Sequence, residues 1–347
     1  MKRVFALLFC MILALSTVAC NQGTPATTTA APPTTAAAEA TTAAAEAAPT
    51  QPSLASNDAA AAKVRISYAC ADFNNTFQSY LVDAARAFAE ENNIDFTVTD
   101  GQQDVVKQQD QVKAMIENKV EAVVMCPADT SAMDPVTEAA QEAGIPLVYV
   151  NSNPYSSGQM PAGTYYVGSD ETMAGIMQME KAGELMGGKG NVCILIGDPG
   201  YEASRQRTDG IKQVIAEKFP DVMVLAEETA NWQRERAVSI TENWLTAYGD
   251  QINAIFGNND EMALGAIQAL TAAGRTDVIV IGIDAIPDAV KAIEAGTMAA
   301  SVFQDAVGQA GGAMQIALDC VKNSPPAEQV KWVPFILVDG SNYQEYK

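Results

Sequence analysis

The sequence predicts an α/β protein with two domains, each built on a doubly wound, Rossmann-like parallel sheet with helices on both faces. From residue 63 onward, short β-rich runs alternate with amphipathic helical runs. This alternation is typical of βαβ units, in which a helix connects consecutive parallel strands. About 285 residues follow residue 62, more than a single hydrophobic core usually includes, so two domains are expected.

The individual elements follow from the spacing of apolar residues. Helices are indicated where apolar side chains recur every three or four positions, as at Phe77, Leu81, Ala84 and Phe88. Strands are indicated by short runs rich in β-branched residues. The predicted strands cover residues 64–69, 95–98, 122–125, 147–150, 192–196, 222–226, 254–256, 278–281 and 299–303.

The composition limits what the protein can bind. The net charge of −21 disfavours nucleic acid and anionic lipid, and it fits a neutral or cationic ligand better than an anionic one. The chain contains no histidine, which is the commonest metal ligand and the commonest general base. No metal site is predicted.

Six cysteines are present, and they divide into two groups. Cys10 lies in the apolar leader, and Cys20 directly follows it. The other four lie in apolar runs far apart in the sequence, which favours buried free thiols. The alternative is a disulfide between Cys70 and Cys126, because both could end neighbouring strands in an oxidising compartment. The four are Cys70, Cys126, Cys193 and Cys320.

The first 19 residues have the pattern of an export signal. Lys2 and Arg3 precede an apolar run over residues 4–15 and small residues over 16–19. The run is shorter than the roughly 20 apolar residues that a transmembrane helix needs. A small residue before Cys20 resembles the lipobox of bacterial lipoproteins, and we therefore expect cleavage before Cys20 and lipidation of its thiol. Thr17 departs from the pattern, because it replaces the usual Leu. An ordinary signal peptide or an uncleaved anchor is the alternative.

A linker is predicted between this leader and the folded domains. Residues 20–62 consist mainly of Ala, Thr and Pro, with almost nothing large to bury. Such a segment cannot offset the entropy of ordering its backbone, so it is expected to be a disordered tether. Cleavage before Cys20 removes Lys2 and Arg3 and no acidic residue, which makes the net charge of the mature chain −23.

Polar and aromatic residues follow the predicted strands. In open parallel sheets, ligands bind beyond the carboxyl ends of the strands. Carboxylates, amides and guanidinium groups there suit the hydroxyls of a polyol, and Phe77 and Trp232 offer flat surfaces for a sugar ring. Helix capping explains the same residue types at these positions. Taken singly, capping is as good an explanation as binding for Asn74, Asp129, Asp170 and Asp260.

Several segments of the sequence, taken together, resemble a known family. Residues 258–266 and 280–284 closely resemble the periplasmic sugar-binding proteins of ABC transporters, of the ribose- and glucose/galactose-binding type, and residues 74–77, 125–129 and 144–148 match in the same order. The resemblance implies a type I periplasmic-binding-protein fold, with two domains joined by a three-strand hinge. It places the N-terminal lobe at 63–168 plus 305–333, and the C-terminal lobe at 169–304 plus 334–347.

The same resemblance implies a ligand site between the lobes. Arg207 and Asp284 would hold hydroxyl groups, four amides would complete the network, and Phe77 and Trp232 would sandwich the sugar ring. The implied binding residues are Asn75, Phe77, Asn151, Arg207, Trp232, Asn259, Asp284 and Gln304.

The chain departs from the family pattern at the site, which leaves the sugar open between pentose and hexose. Ser152 stands where many relatives have Arg or Lys. Asn151 is typical of hexose binders, whereas Gln304 is typical of ribose binders, and Gln78 replaces a second Phe of the ribose binders. By the alignment, Tyr201 lies near the cleft and could supply a further contact.

The implied function is that of a monomeric lipoprotein on the outer face of the cytoplasmic membrane, at the cell surface or in the periplasm. It would capture a monosaccharide between closing lobes and deliver it to an ABC permease, with no cofactor, no catalytic residues and no nucleic acid. A sensory receptor that presents a sugar or a signalling molecule to a chemoreceptor or kinase is the alternative. A transcription regulator of this fold would need a DNA-binding segment and a basic face. An enzyme is disfavoured because no catalytic signature is present.

Overall fold

The computed structural model describes residues 63–155 and 159–347. The predicted signal peptide over 1–19 and the predicted linker over 20–62, including Cys20, lie outside the described residues. Within the described part, none of the helices has the length and apolar character needed to cross a bilayer.

The described residues form twelve strands and nine α-helices, mostly in alternation. The strands are β1 (Arg65–Cys70), β2 (Asp95–Asp100), β3 (Ala122–Met125), β4 (Leu147–Val150), β5 (Thr164–Gly168), β6 (Lys189–Ile196), β7 (Asp221–Thr229), β8 (Ala254–Gly257), β9 (Ile279–Asp284), β10 (Ala300–Phe303), β11 (Val330–Trp332) and β12 (Ile336–Asp339). The helices are α1 (Thr76–Glu91), α2 (Val105–Glu117), α3 (Asp134–Ala143), α4 (Glu171–Met186), α5 (Glu202–Lys218), α6 (Arg234–Tyr248), α7 (Asp260–Ala272), α8 (Pro287–Glu294) and α9 (Ala306–Val321).

The strands form two six-stranded sheets. The first has the order β11-β5-β4-β3-β1-β2, and the second has the order β12-β10-β9-β8-β6-β7. All described pairings are parallel except that of β12 with β10. The central strands β3 and β4 are buried along their whole length, as expected for parallel strands that helices cover on both faces.

Each sheet has a hydrophobic core on both faces. In the first sheet, α1 and α9 pack on one face through residues such as Leu81 and Met314, and α2 and α3 pack on the other through Val112 and Val136. In the second sheet, α6, α7 and α8 pack on one face, and α4 and α5 pack on the other. The predicted architecture of two doubly wound parallel sheets is therefore present.

The chain passes between the two sheets three times. It crosses between β5 and α4, between β10 and α9, and between β11 and β12. The sequence predicted nine of the twelve strands but not β5, β11 and β12. No helix precedes β5 after β4, and β11 and β12 are short edge strands, so the alternation of strands and helices does not reveal them.

The four cysteines in the described residues are free thiols. Cys70, Cys126 and Cys193 are buried, and Cys320 is partly buried. Burial raises the pKa of Cys70 and of Cys193 to about 12, so both thiols are protonated at neutral pH. The structure therefore has the free thiols that the sequence favoured, and not the alternative disulfide.

Candidate ligand-binding site

A cavity of about 380 Å³, counting the part open to solvent, lies between the carboxyl edges of the two sheets. All eight predicted binding residues line it, although they come from seven different connections. The wall is completed by Gln78, Ser152, Tyr201 and Ala203.

Arg207 is fixed by three hydrogen bonds. Its Nε donates to Glu171 Oε2 at 2.6 Å, its Nη1 to the backbone oxygen of Asn258 at 2.6 Å, and its Nη2 to Gln304 Oε1 at 3.1 Å. The side chain is only 4% exposed. Other N–H groups of the planar guanidinium remain, and they are available to a ligand in a defined plane.

Close packing of α4 and α5 brings Glu171 to Arg207. A Cβ added to Gly175 on α4 would lie 1.9 Å from the backbone oxygen of Arg207, and one added to Gly210 on α5 would lie 2.3 Å from that of Thr172. The helices approach this closely only because both positions are glycine. Burial raises the pKa of Glu171, and the guanidinium opposes that effect.

Asp284 lies at the end of β9 with an unusual backbone conformation. Its φ is 119°, a value that side-chain-bearing residues rarely adopt and that is often found at functional sites. It is 6% exposed, and its carboxylate has no hydrogen bond or ion pair with another described residue. Burial raises the pKa of Asp284 well above its usual range, partly offset by Arg207 and reinforced by Asp260. This acceptor is therefore open toward the cavity.

Two asparagines in the cavity wall are also helix caps. Asn75 Oδ1 accepts from the backbone N–H of Gln78 at 3.0 Å, and Asn259 Oδ1 accepts from that of Met262 at 3.0 Å. These bonds fix the side chains at the first turns of α1 and α7. Because the oxygen makes the cap, the NH₂ group of Asn75 is left for a ligand.

Three aromatic residues form the apolar part of the wall. Tyr201 packs edge-on against Trp232, with ring centroids 6.0 Å apart, and the guanidinium carbon of Arg207 lies 5.7 Å from the Trp232 ring centroid. Phe77 lines the cavity from the first turn of α1. Trp232 has a φ of 64°, and a Cβ at Gly197 would lie 2.2 Å from its ring, so the ring lies directly on the backbone.

Two buried donors in the wall have no partner among the described residues, namely Gln304 Nε2 and Trp232 Nε1. Buried polar groups are nearly always hydrogen-bonded in complete structures. The two N–H groups are therefore available to donate to acceptor oxygens.

Side chains at the end of β4 are engaged within the first domain. Asn151, at a φ of 68°, donates from Nδ2 to Gln309 at 3.2 Å and accepts from Ser152 Oγ at 3.3 Å. Ser152 is buried and uncharged, so the wall has no cation at this position. Gln78 Oε1 accepts from the backbone N–H of Ala71 at 3.1 Å.

Direct contacts connect the two domains around the cavity. Thr76 Oγ1 donates to Glu261 Oε1 at 2.9 Å, Gln78 Nε2 to Tyr201 Oη at 3.3 Å, and the backbone of Thr130 to that of Gly200 at 3.2 Å. The first residue of each pair belongs to the first domain and the second belongs to the other. The cleft is therefore closed in this structure.

Several polar residues that follow strands have structural partners instead. Asp129 accepts from Ser131, and Asp170 accepts from the backbone N–H of Thr172 at 3.1 Å at the start of α4. Asp260 accepts from Ser301 Oγ at 2.7 Å and from the backbone of Ile286 at 2.9 Å. Neither these three aspartates nor Asn74 and the exposed Arg205 line the cavity.

A model of the periplasmic binding protein domain matches residues 66–325, well over half of the chain. The chain belongs to the periplasmic binding protein family. A putative rhizopine-binding protein of Rhizobium meliloti is 38% identical over 83% of this chain and 94% of the relative. A xylitol-binding protein of Mycolicibacterium smegmatis is 36% identical over 72% of this chain and 69% of the relative.

Solved structures agree with this assignment. An ABC transporter solute binding protein of Bacillus halodurans, solved with bound myo-inositol, is 34% identical, with a TM-score of 0.75 over 82% of this chain and 97% of that chain. These comparisons confirm the predicted type I periplasmic-binding-protein fold. Because the relatives are binding proteins, they also confirm that this chain is a binding protein and not an enzyme. Membership of the family implies an extracytoplasmic location.

Two residues of this periplasmic binding protein were not singled out from the sequence. Ala203 lines the cavity from the first turn of α5. Glu171, at the start of α4, is 3% exposed and holds Arg207 without lining the cavity. In the sequence, Glu171 looks like any acidic residue in the first turn of a helix, and its role depends on how α4 and α5 pack.

Proposed function

We propose that this binding protein captures a monosaccharide, or a cyclic polyol of similar size, and delivers it to an ABC permease. The proposal rests on one observation. A single closed cavity combines the fixed guanidinium of Arg207, the open carboxylate of Asp284 and the aromatic rings of the wall. Xylitol and myo-inositol, which two relatives bind, are small polyhydroxylated molecules. The wall of this cavity has the groups that recognise such molecules.

We assign a distinct role to each group of residues. The carboxylate of Asp284 accepts hydrogen bonds from ligand hydroxyls, and the remaining N–H groups of Arg207 donate to ligand oxygens. Gln304 Nε2 and Trp232 Nε1 donate further hydrogen bonds, which would satisfy both atoms. Asn75, Asn151 and Asn259 complete the polar network. Phe77 and Trp232 contact the C–H faces of the ring.

Closure of the cleft is the second part of the proposal. We take the lobes to be 63–168 plus 305–333, and 169–304 plus 334–347. A ligand that contacts both lobes binds the closed form more tightly than the open form, so binding shifts the population toward closure. Contacts such as Thr76 with Glu261 form only when the lobes meet. The closed form would then dock on the permease.

Binding can be tested by calorimetry with the purified full chain and a panel of ribose, xylose, arabinose, glucose, galactose, xylitol and myo-inositol, with amino acids as controls. We expect micromolar or tighter binding of at least one polyol, which corresponds to about −8 kcal/mol. We expect Arg207→Ala to weaken that binding at least tenfold, whereas Arg205→Ala, which removes an exposed arginine on the same helix, leaves it unchanged. Binding of amino acids alone would refute the proposal.

We also propose a lipid anchor at Cys20, after cleavage of a signal peptide over 1–19, with residues 20–62 as the linker. The leader pattern and the family's extracytoplasmic location support this arrangement. We expect Cys20→Ala to release the protein from the membrane fraction. Cys10→Ala, a matched change within the leader, should leave it bound. Membrane association that survives Cys20→Ala would exclude an anchor at this residue.

A further inference from the structure

A second cavity lies outside the ligand site, where the chain crosses between the domains. It has a volume of about 620 Å³, counting the part open to solvent. Two of the three crossings border it, namely the segment between β5 and α4 and the end of β11. Its wall combines Asn153, Tyr166 and Trp332 of the first domain with Asp170, Glu202 and Gln206 of the second. Because both domains supply the wall, opening of the cleft must change this cavity.

Glu202 contributes a carboxylate to this wall from the first turn of α5. The side chain is partly buried, and Gln206 Nε2 donates to its Oε1. The backbone N–H of Asn153, in the first domain, lies close enough to the carboxylate to lower its pKa. Tyr166 and Trp332 line the same cavity, with ring centroids 5.8 Å apart. Closure therefore brings two aromatic rings and a backbone group of the first domain to a carboxylate of the second.

Like charges surround Glu202 within its own domain. Glu171 and Asp170, at the start of α4, both raise the pKa of Glu202. Glu171 already has a cation, because its Oε2 accepts from Arg207 Nε at 2.6 Å. Arg205 opposes the two acidic residues, but its side chain is exposed to solvent, which screens the charge. Within this cluster, Glu202 is therefore the carboxylate that a proton neutralises without breaking a buried ion pair.

The protonation of Glu202 depends on whether the cleft is closed. In the closed form, burial and then the charge of Glu171 raise the pKa of Glu202 to about 7, whereas a glutamate in water has a pKa of about 4.3. Opening withdraws the rings of the first domain and admits water, so the pKa returns toward its ordinary value. Tyr166 stays neutral throughout this range, because burial raises the pKa of its hydroxyl well above the usual value.

We propose that Glu202 is a proton-dependent switch of the cleft, which takes up a proton as the domains close, so that the protein holds its ligand more tightly in slightly acidic than in alkaline surroundings. This inference rests on the proposed function, because it concerns the closure that accompanies ligand binding. A group that binds a proton only in the closed form favours that form at low pH, and this advantage is lost as the pH rises through about 7. The extracytoplasmic location of the family exposes the switch to the external pH.

The size of the effect follows from the two pKa values. With a pKa of about 7 in the closed form and about 4.3 in the open form, the ratio of closed to open protein increases about tenfold from about pH 8 to about pH 6. Ligand affinity should increase by the same factor. At about pH 7, binding of one ligand should be accompanied by uptake of about half a proton.

The test is calorimetry of the full chain with the member of the polyol panel that binds most tightly. Titrations at about pH 6 and about pH 8 give the change in affinity, and titrations at about pH 7 in two buffers of different ionisation enthalpy give the number of protons taken up. We expect Glu202→Gln, which is neutral at every pH, to bind at about pH 8 as tightly as the unchanged protein binds at about pH 6. This variant should also lose the proton uptake.

The matched control is Glu217→Gln, which changes an exposed carboxylate on the same helix and should keep both the pH dependence and the proton uptake. A merely structural role of Glu202 would weaken binding equally at both pH values and leave the proton uptake unaltered. If Glu202→Gln does not fold, the proton uptake of the unchanged protein decides the question, and an uptake of zero refutes the switch. Binding with the same pH dependence in Glu202→Gln would overturn this inference alone. If no polyol binds, the proposed function fails as well.

Discussion

Glu171→Ala would remove the carboxylate that holds Arg207, and we expect it to destabilise the protein strongly. The two side chains are each 4% exposed and joined at 2.6 Å. Without Glu171, the guanidinium would be a buried cation with only the neutral acceptors Asn258 and Gln304. Removing one partner of a buried ion pair costs about 3–5 kcal/mol, so we expect the free energy of unfolding to fall by about that amount.

A second variant separates charge from hydrogen bonding. Glu171→Gln leaves an amide oxygen that can still accept from Arg207 Nε, so the loss should be smaller, about 1–3 kcal/mol. The matched control is Glu180→Ala, which removes a carboxylate from the same helix. Glu180 pairs with Lys218 on the protein surface, where solvent screens the interaction, so no measurable change is expected.

The measurement is urea denaturation followed by circular dichroism, with the free energy of unfolding obtained by linear extrapolation. Equal slopes for the variants and the unchanged protein would show that the same surface is exposed on unfolding. The expected order of destabilisation is Glu171→Ala, then Glu171→Gln, then Glu180→Ala. If Glu171→Ala were no more destabilising than Glu180→Ala, Arg207 would not depend on this pair, and the account of its positioning would be wrong.

Three further predictions follow from other parts of the site. Gly197→Ala should lower ligand affinity by on the order of tenfold in calorimetry, because a Cβ 2.2 Å from the Trp232 ring displaces it; unchanged affinity would show that the ring position is not needed. Thr76→Val removes the hydrogen bond to Glu261 across the cleft, which contributes about 1 kcal/mol to the closed form. Stopped-flow measurements should therefore show ligand release that is roughly fivefold faster. An unaltered release rate would contradict a role of this hydrogen bond in closure. Burial, reinforced by nearby carboxylates, raises the pKa of Glu202 to about 7, so the folded state holds a proton that the unfolded state has lost. Stability should therefore fall as pH rises through about 7, and Glu202→Gln should reduce the difference in urea midpoint between about pH 6 and about pH 8; an undiminished difference would assign the effect to other groups.

The fold could be predicted because its signals are local in the sequence. Apolar runs and helical spacing indicated the central strands and the helices between them, and parallel strands place their carboxyl ends at one edge. The sequence did not predict β5 because this strand follows β4 without an intervening helix. It did not predict β11 because a three-residue strand at a sheet edge has little periodicity. A short edge strand is identified by the strand with which it pairs. The local sequence does not show which strands are neighbours in the sheet.

The site could be predicted as a set more readily than residue by residue. Asn75 and Asn259 show why, since each caps a helix and also lines the cavity, so capping does not exclude a position in the cavity wall. For Asp129 and Asp170 the cap is the whole explanation, and residue type alone does not separate these cases. The role of Glu171 depends on the approach of α4 to α5, a tertiary feature that no local pattern encodes.

The interleaving of the two sheets along the chain has a consequence for biosynthesis. The first sheet receives its edge strand from Val330–Trp332, and the second receives its antiparallel edge from Ile336–Asp339. Neither sheet has all its strands until residues 330–339 have left the ribosome, because each sheet takes an edge strand from this segment. A nascent chain shorter than this lacks one strand in each lobe, so the two lobes reach their final form together and late.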